Sequence, residues 1–531
     1  MRSVHPVWTI LALLAPMGCG SADYAMSMED GGAYDTANFG APPADGGDGG
    51  GGGDFADTGD DGLGSEDEND FLSLRPASTR TYVFVANATR GTVTRIAVPS
   101  LAVLTAEVGV DPHVVLTSGD YTHAAVFNRG SDTVSLVDSE SLAVRTVAVR
   151  PNLNQMVMSP DGQWVACFYD RDAADEGDAS NGGTQSFNEV SLVRVADGAH
   201  FPMVVGFNPR QIQFTADAET AVVVSDAYLA IVDLTAEVPA PQRVQISTDT
   251  VDPPAAEEVL LSPDGRYALV RQFGATTLAV VELATGVVSR VDVGENPTDL
   301  DVTPDGSQAV AVARGAAELW IYDLTDPFLT PEVVALPDSE VWGSVVMSPD
   351  GTKGLLYSTQ SGRGVYGVWD RTAADPSAAV TVFGLEKPVQ RLAVSPDGGV
   401  ALVFHDRSDT GASSDSPLRG AYGLTLIDLA DFFPNPIRLP AEPTTFTQTA
   451  DGRTGFFIMD GEPLVVRLDY DTLLPYDIAL RSVPVHIGVL PETRILYASQ
   501  EHDLGRLSFY DTDRGTLQTI TGFELNSGIT Y

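Results

Sequence analysis

Eight polar side chains stand where short apolar runs give way to loops: Arg129, Asp170, Arg171, Arg271, Arg314, His405, Asp406 and Arg407. With Arg90 and Arg363 they put seven arginines at such places, in a chain that holds only 30 Lys and Arg against 73 Asp and Glu. A guanidinium is a planar fork of donors that fits carboxylates and other polar ligands two bonds at a time. These residues are therefore the candidate ligand-binding mouth. The competing reading is that the same arginines pair with acids of the scaffold and lock it.

Catalytic signatures are missing. There is no GxSxG elbow, no HExxH and no phosphate-binding glycine loop. The seven histidines are scattered, and the only cysteines are Cys19 and Cys167. A disulfide framework, a CxxC redox pair and a Cys₄ zinc site are thus all excluded. Cys167 lies in an alternating apolar run and reads as a small buried hydrophobe. The stretch Asp170 to Asn181 offers oxygen ligands for calcium. A solvated loop explains its composition more simply than a calcium site does, so no cofactor is expected.

What positions the mouth is a repeat. Ser-Pro-Asp-Gly occurs at 159–162, 262–265, 348–351 and 395–398, with Thr-Pro-Asp-Gly at 303–306. Weaker copies start at Thr117, Thr215, Thr449 and Leu490. Starts recur every 41 to 56 residues, the length of a four-stranded propeller blade. In each copy an apolar segment enters the turn, where proline fixes φ and glycine accepts positive φ. A β-rich segment then leaves, followed by a loop and two more strands with alternating polarity. The third strand ends in an acid at Asp138, Asp233, Glu282, Asp323, Asp370, Asp428, Asp469 and Asp511. A column that repeats with the fold reads as hairpin capping rather than as a carboxylate ring for ligands.

These repeats resemble the YVTN-type β-propeller family, whose namesake strand appears here as Tyr82-Val83-Phe84-Val85-Ala86-Asn87. The resemblance runs over residues 80–531 and implies an all-β propeller of four-stranded antiparallel blades. Ten units are counted; seven or eight blades with insertions, or two smaller rings, are the alternatives. The domain begins at a second strand, 81–87, and ends at Gly528-Ile529-Thr530-Tyr531. Pairing that C-terminal strand with the first strand would close the ring. Three long insertions, Asp170 to Asn188, Asp249 to Glu257 and Asp406 to Tyr422, would share one face with the mouth.

The first 72 residues read as address and tether. A positive end, a short apolar run and Ala15-Pro16-Met17-Gly18-Cys19 resemble a bacterial lipoprotein signal over residues 1–19. The resemblance implies lipidation at Cys19 and an outer-membrane anchor, on the periplasmic or the cell-surface side. Residues 20–72 carry 14 acids, no Lys or Arg, and a glycine run at 46–53. Such a stretch cannot bury enough apolar surface to order itself, so it reads as a disordered linker. Residues 73–531 form the propeller. A net charge of −43 repels phosphate backbones and excludes nucleic acid as partner. The expected function is a non-catalytic binding or scaffolding module for an envelope protein or polymer. A lactonase- or lyase-like propeller enzyme and a purely structural surface protein are the alternatives.

Overall fold

The computed structural model describes residues 77–171, 187–247, 256–272, 274–326, 328–375, 378–412, 414–500, 502 and 504–522. It is a single ring of ten antiparallel blades. Nine have four strands in chain order. Blade 2 is the pattern: Pro112–Thr117, His123–Asn128, Thr133–Asp138 and Val144–Ala148. First strands of neighbouring blades meet at the centre, and fourth strands such as Val144–Ala148 are the most exposed. Apart from the 3₁₀ turns Ala88–Arg90 and Arg129–Ser131 and a 3₁₀ residue at Ala378, no helix is present among the described residues.

Ring closure is visible in the core. Alternation buries one side-chain set against the preceding blade and the other against the next. This yields ten apolar clusters, one per seam. An open row of ten blades would have nine. The tenth joins Val83, Ile96 and Leu101 of blade 1 to Tyr497, Leu507 and Phe509 of blade 10. Arg80 pairs with Glu492 across that seam.

Blade 1 has three described strands, Tyr82–Asn87, Thr92–Ala97 and Val103–Glu107. Contrary to the expectation that nothing precedes its second strand, Ala77–Thr79 occupy one end of the first-strand place. Ser78 bridges to Val83, and the Phe84 N–H donates to the Ala77 carbonyl at 2.9 Å. The C-terminal segment 528–531, expected to fill that place, lies outside the described residues.

The turn between first and second strands is held by its first residue as much as by Pro-Asp-Gly. Ser262 Oγ donates to Asp264 Oδ1 at 2.6 Å and accepts the Tyr267 N–H at 2.9 Å. Asp264 Oδ1 also accepts the Arg266 N–H at 3.1 Å. The Ser/Thr-to-Asp bond recurs in blades 2 to 9. In blade 2 the hydroxyl is that of Ser118, bonded to Asp120, so the repeat there starts one residue after Thr117. The fourth position, as at Gly265, has φ +69°, a conformation glycine adopts without steric cost.

The acid column caps hairpins, as its periodicity implied. Asp138 accepts the Ser141 N–H at 2.7 Å, and Asp323 accepts the Thr325 N–H at 2.8 Å and its hydroxyl at 2.6 Å. Donors of this kind hold both carboxyls below their ordinary range. Several of these hairpins close on an apolar residue with positive φ. Leu101 (φ 56°), Leu142 (φ 56°), Phe432 (φ 60°) and Leu473 (φ 59°) each donate N–H to the carbonyl four residues back. Their side chains enter or pack against a seam core. Burial of a leucine, worth about 1.5–3 kcal/mol, exceeds the ~1–2 kcal/mol that the left-handed conformation costs.

Candidate functional site

Consecutive antiparallel strands put the Ser/Thr-x-Asp turns and capped hairpins on one face. Loops between second and third strands, with the blade-to-blade connections, lie on the other, which we term the loop face. The eight sequence-predicted residues fall on blades 2, 3, 5, 6 and 8 and serve different ends.

Two are built into the wall. Arg271, at the loop-face end of the second strand of blade 5 (Tyr267–Gln272), is buried. Its Nε donates to Glu258 Oε2 at 3.0 Å, and its Nη1 to the Pro297 carbonyl of blade 6 at 3.2 Å. His405 ends the second strand of blade 8 and is also buried. Its Nδ1 lies 2.8 Å from the Pro388 carbonyl and its Nε2 2.8 Å from Thr425 Oγ1. A carbonyl only accepts, so Nδ1 carries the proton and Nε2 accepts from the threonine. Burial pushes its pKa down to about 4, keeping the ring neutral. Both ring nitrogens are engaged inside the blade, which leaves no lone pair for a ligand. Arg314 is likewise buried, following the second strand of blade 6.

Blade 3 is different. Asp170 is fixed through its backbone: its N–H donates to Asn154 Oδ1 and its carbonyl accepts Asn154 Nδ2, both at 2.8 Å. Beyond it Arg171 is exposed and lies over two rings, 5.9 Å from Phe187 and 5.8 Å from Phe207. Tyr169 meets Phe187 edge-on at 5.5 Å, and Phe187 and Phe207 lie 6.3 Å apart. Phe187 is 37% exposed and Phe207 56%. The result is an aromatic shelf with a guanidinium on it, facing solvent where blades 3 and 4 meet. Arg129, on blade 2, starts the turn Arg129–Ser131 and is half-buried.

Blade 8 carries the insertion 406–422, and its anchor escaped the sequence reading. Lys387 is fully buried, at 0% exposure. Its Nζ donates to the Asp406 carbonyl at 3.0 Å and the Ala421 carbonyl at 2.9 Å, and lies 3.5 Å from Asp409 Oδ1. One ammonium thus ties both ends of the insertion and an acid within it. Asp409 also accepts the Gly420 N–H at 2.7 Å, which together with the ammonium holds its carboxyl low. Leu418 plugs the loop into the blade. Asp406 stays partly exposed, with Gln390 Nε2 3.4 Å from its carboxylate, and Arg407 is exposed. The available signal was scarcity, since lysine occurs at 353 and 387 alone.

The structure thus brings Asp170 next to Arg171, and Asp406 next to Arg407, but leaves these pairs on separate blades. Most of the insertions Asp170 to Asn188 and Asp249 to Glu257, including the calcium-like stretch, lie outside the described residues, as does Cys19. Among the described residues no group of three or more His, Cys, Asp or Glu could hold a metal ion. Cys167 is fully buried in the seam between blades 2 and 3, and burial pushes its thiol far up, away from thiolate chemistry.

No family model and no curated protein matches the chain. Solved structures do. A crystal structure of the eukaryotic initiation factor is 12% identical, with 83% of this chain and 95% of that chain covered, at TM-score 0.50. Dihydro-heme d1 dehydrogenase NirN is 14% identical over 86% of this chain and 77% of its own, at 0.40. The Cps50 (Swd1) β-propeller domain of Myceliophteria thermophila is 12% identical over 58% and 95%, at 0.35. Identities this low speak to the fold alone.

Proposed function

We propose that the protein is a cell-envelope lipoprotein whose propeller, built from YVTN-type repeats, is a non-catalytic binding or scaffolding module. Cys19 carries the lipid, and residues 20–72 hold the ring off the outer membrane. The loop face engages an envelope protein or polymer. The observation that carries this reading is the shelf of Phe187, Phe207 and Arg171. Large aromatic rings and a guanidinium, exposed together on a rigid scaffold, are the chemistry of binding hot spots. The polar mouth residues named from sequence lend less, because Arg271 and His405 are engaged within the scaffold.

The test is binding of the purified chain to isolated cell-wall sacculi and to outer-membrane vesicles, by cosedimentation. Replacing Phe207 and Arg171 by alanine is expected to weaken saturable binding at least about tenfold, the loss of a modest hot spot. Equal binding by wild type and variant, or hydrolysis of a lactone panel by the chain, would overturn the reading. Incorporation of labelled palmitate that disappears in Cys19→Ser tests the anchor.

A further inference from the structure

Three carboxylates and a guanidinium meet in the inner wall of blades 5 to 7. From blade 5 come Glu258 and Arg271, paired as described. From the inner strand of blade 6, Pro297–Val302, come Asp299 and Asp301. Leu300 and Val302 of that strand pack toward blade 5, so the two aspartates point the other way, toward blade 7. There they act as missing ladder acceptors. Asp299 Oδ2 accepts the Val345 N–H at 2.5 Å, and Asp301 Oδ2 accepts the Met347 N–H at 3.3 Å. Both amides belong to the inner strand of blade 7, Ser344–Met347, which has no strand on that side.

The seams of blades 4 with 5 and 8 with 9 are crossed between inner strands by neutral groups. Gln213 Nε2 donates to the Val259 carbonyl at 2.7 Å, and Gln448 Nε2 to the Val394 carbonyl at 3.1 Å. The seam of blades 6 and 7 joins its inner strands through carboxylates instead. The charged groups that act on one another here are Glu258, Arg271, Asp299 and Asp301; Arg314, which follows the second strand of blade 6, is also buried. The inner strand of blade 7 contributes none.

Burial opposes full ionisation here. Asp301, itself half-buried, is pushed up to about 7, first by desolvation and then by Asp299. Burial also pushes Glu258 up, against the pull of Arg271. We propose that the seam between blades 6 and 7 is a pH-responsive joint: a proton held by the Asp299–Asp301 pair keeps it closed, and losing that proton loosens it. The sign follows from linkage. In the opened, hydrated seam Asp301 ionises at its ordinary value near 3.8. The closed seam retains its proton up to about 7. Between those limits opening releases a proton, so rising pH favours opening. Below about 4 and above about 7 the pH dependence disappears.

Hydrogen–deuterium exchange of the full chain, followed on peptides spanning 340–350 from pH 5 to 8.5, reads this directly. After correction for intrinsic exchange, the opening constant of wild type is expected to rise up to about tenfold per pH unit below 7 and then level. Asp301→Asn, which keeps an acceptor for the Met347 amide but cannot ionise, is expected to flatten the profile. Asp299→Asn is expected to move the levelling point to lower pH. Peptides over the inner strand of blade 9, Pro443–Gln448, should show no slope in any of the three. A wild-type opening constant equal at pH 5.5 and 7.5 would overturn the proposal. So would a slope that persists unchanged in Asp301→Asn. If a substituted chain misfolds by circular dichroism, the wild-type profile decides alone.

Discussion

Lys387→Met should release the insertion 406–422 while leaving the ring intact. The ammonium makes two charge-assisted bonds to carbonyls, at 3.0 and 2.9 Å, in a site with no solvent access. Methionine fills much of the same volume, so no large cavity term enters. Its loss leaves the carbonyls of Asp406 and Ala421 without a donor, at about 1–3 kcal/mol each. The Asp409 carboxylate is 35% exposed and rehydrates, so its pairing with Lys387 is discounted. The variant also escapes the cost of burying an ammonium, which offsets part of the loss. The balance is about 2–3 kcal/mol against the docked loop, or about 30- to 150-fold in its opening constant. Exchange on peptides covering 406–422 measures that ratio, and trypsin reports it independently by cutting after Arg407 and Arg419. Protection within twofold of wild type would refute the anchoring role. So would equal loss of protection in blades 2 to 4, which would make Lys387 a core residue of the whole ring.

Further predictions rest on single contacts. Ser262→Ala removes a hydroxyl that both donates to Asp264 and accepts from Tyr267; it should cost about 1 kcal/mol in urea unfolding, and an unchanged midpoint would count against the hydroxyl's part in the turn. At Leu101, 4% exposed with φ 56°, alanine should be worse than glycine by about 1 kcal/mol. Both lose the buried side chain, but only glycine sheds the left-handed strain, and thermal melts of the two variants give the order. His405 is held neutral down to about 4, so its contribution is complete above its ordinary 6.5 and drains away as pH falls toward 4. Wild type should therefore lose stability across that window up to about tenfold per pH unit for this residue. His405→Gln should show a shallower slope; an equal slope would assign the acid sensitivity elsewhere.

Features confined to one repeat were legible in the sequence, and those between repeats were not. Nine repeat starts and one split blade give ten units, and the strand-ending acids cap hairpins because both partners sit within a few residues. The one-residue slip at Thr117 has the same local origin, since Thr117 and Ser118 offer equivalent hydroxyls and only the strand register chooses. Lys387 was missed because its acceptors lie 19 and 34 residues away, reached only once the insertion folds back. Arg271 looked available for a ligand because Glu258, 13 residues earlier, becomes its neighbour only by strand pairing. The shelf is assembled from two blades: Tyr169 and Phe187 flank an insertion in blade 3, and Phe207 precedes blade 4.

The blades divide into two kinds, and the division explains where the loop face acquires its relief. Six inner strands, in blades 2, 4, 5, 6, 9 and 10, begin with a bulge at Pro112, Pro209, Ala256, Pro297, Pro443 and Pro484. Their second and third strands are joined by short connections, such as 129–132 in blade 2 and 226–227 in blade 4. The other three, Gln155–Met158, Ser344–Met347 and Arg391–Val394, are four residues long and unbulged. Their blades carry the longer connections, 169–188, 358–364 and 406–422. Six residues before the first residue of the turn, where the bulged blades have proline or alanine, these three have Leu153, Trp342 and Val389, all buried in a seam. An apolar residue at that position packs the corner that the bulge otherwise forms, and the shortened strand vacates the rim. A longer loop then occupies that space; in blade 8 it buries Leu418 and is tied down by Lys387, which precedes the inner strand. Proline at that position therefore marks a blade as framework, and a large apolar residue marks it as a bearer of loop-face structure. By this criterion blades 3, 7 and 8 present the variable surface, with blades 3 and 8 five apart and hence opposite each other across the ring.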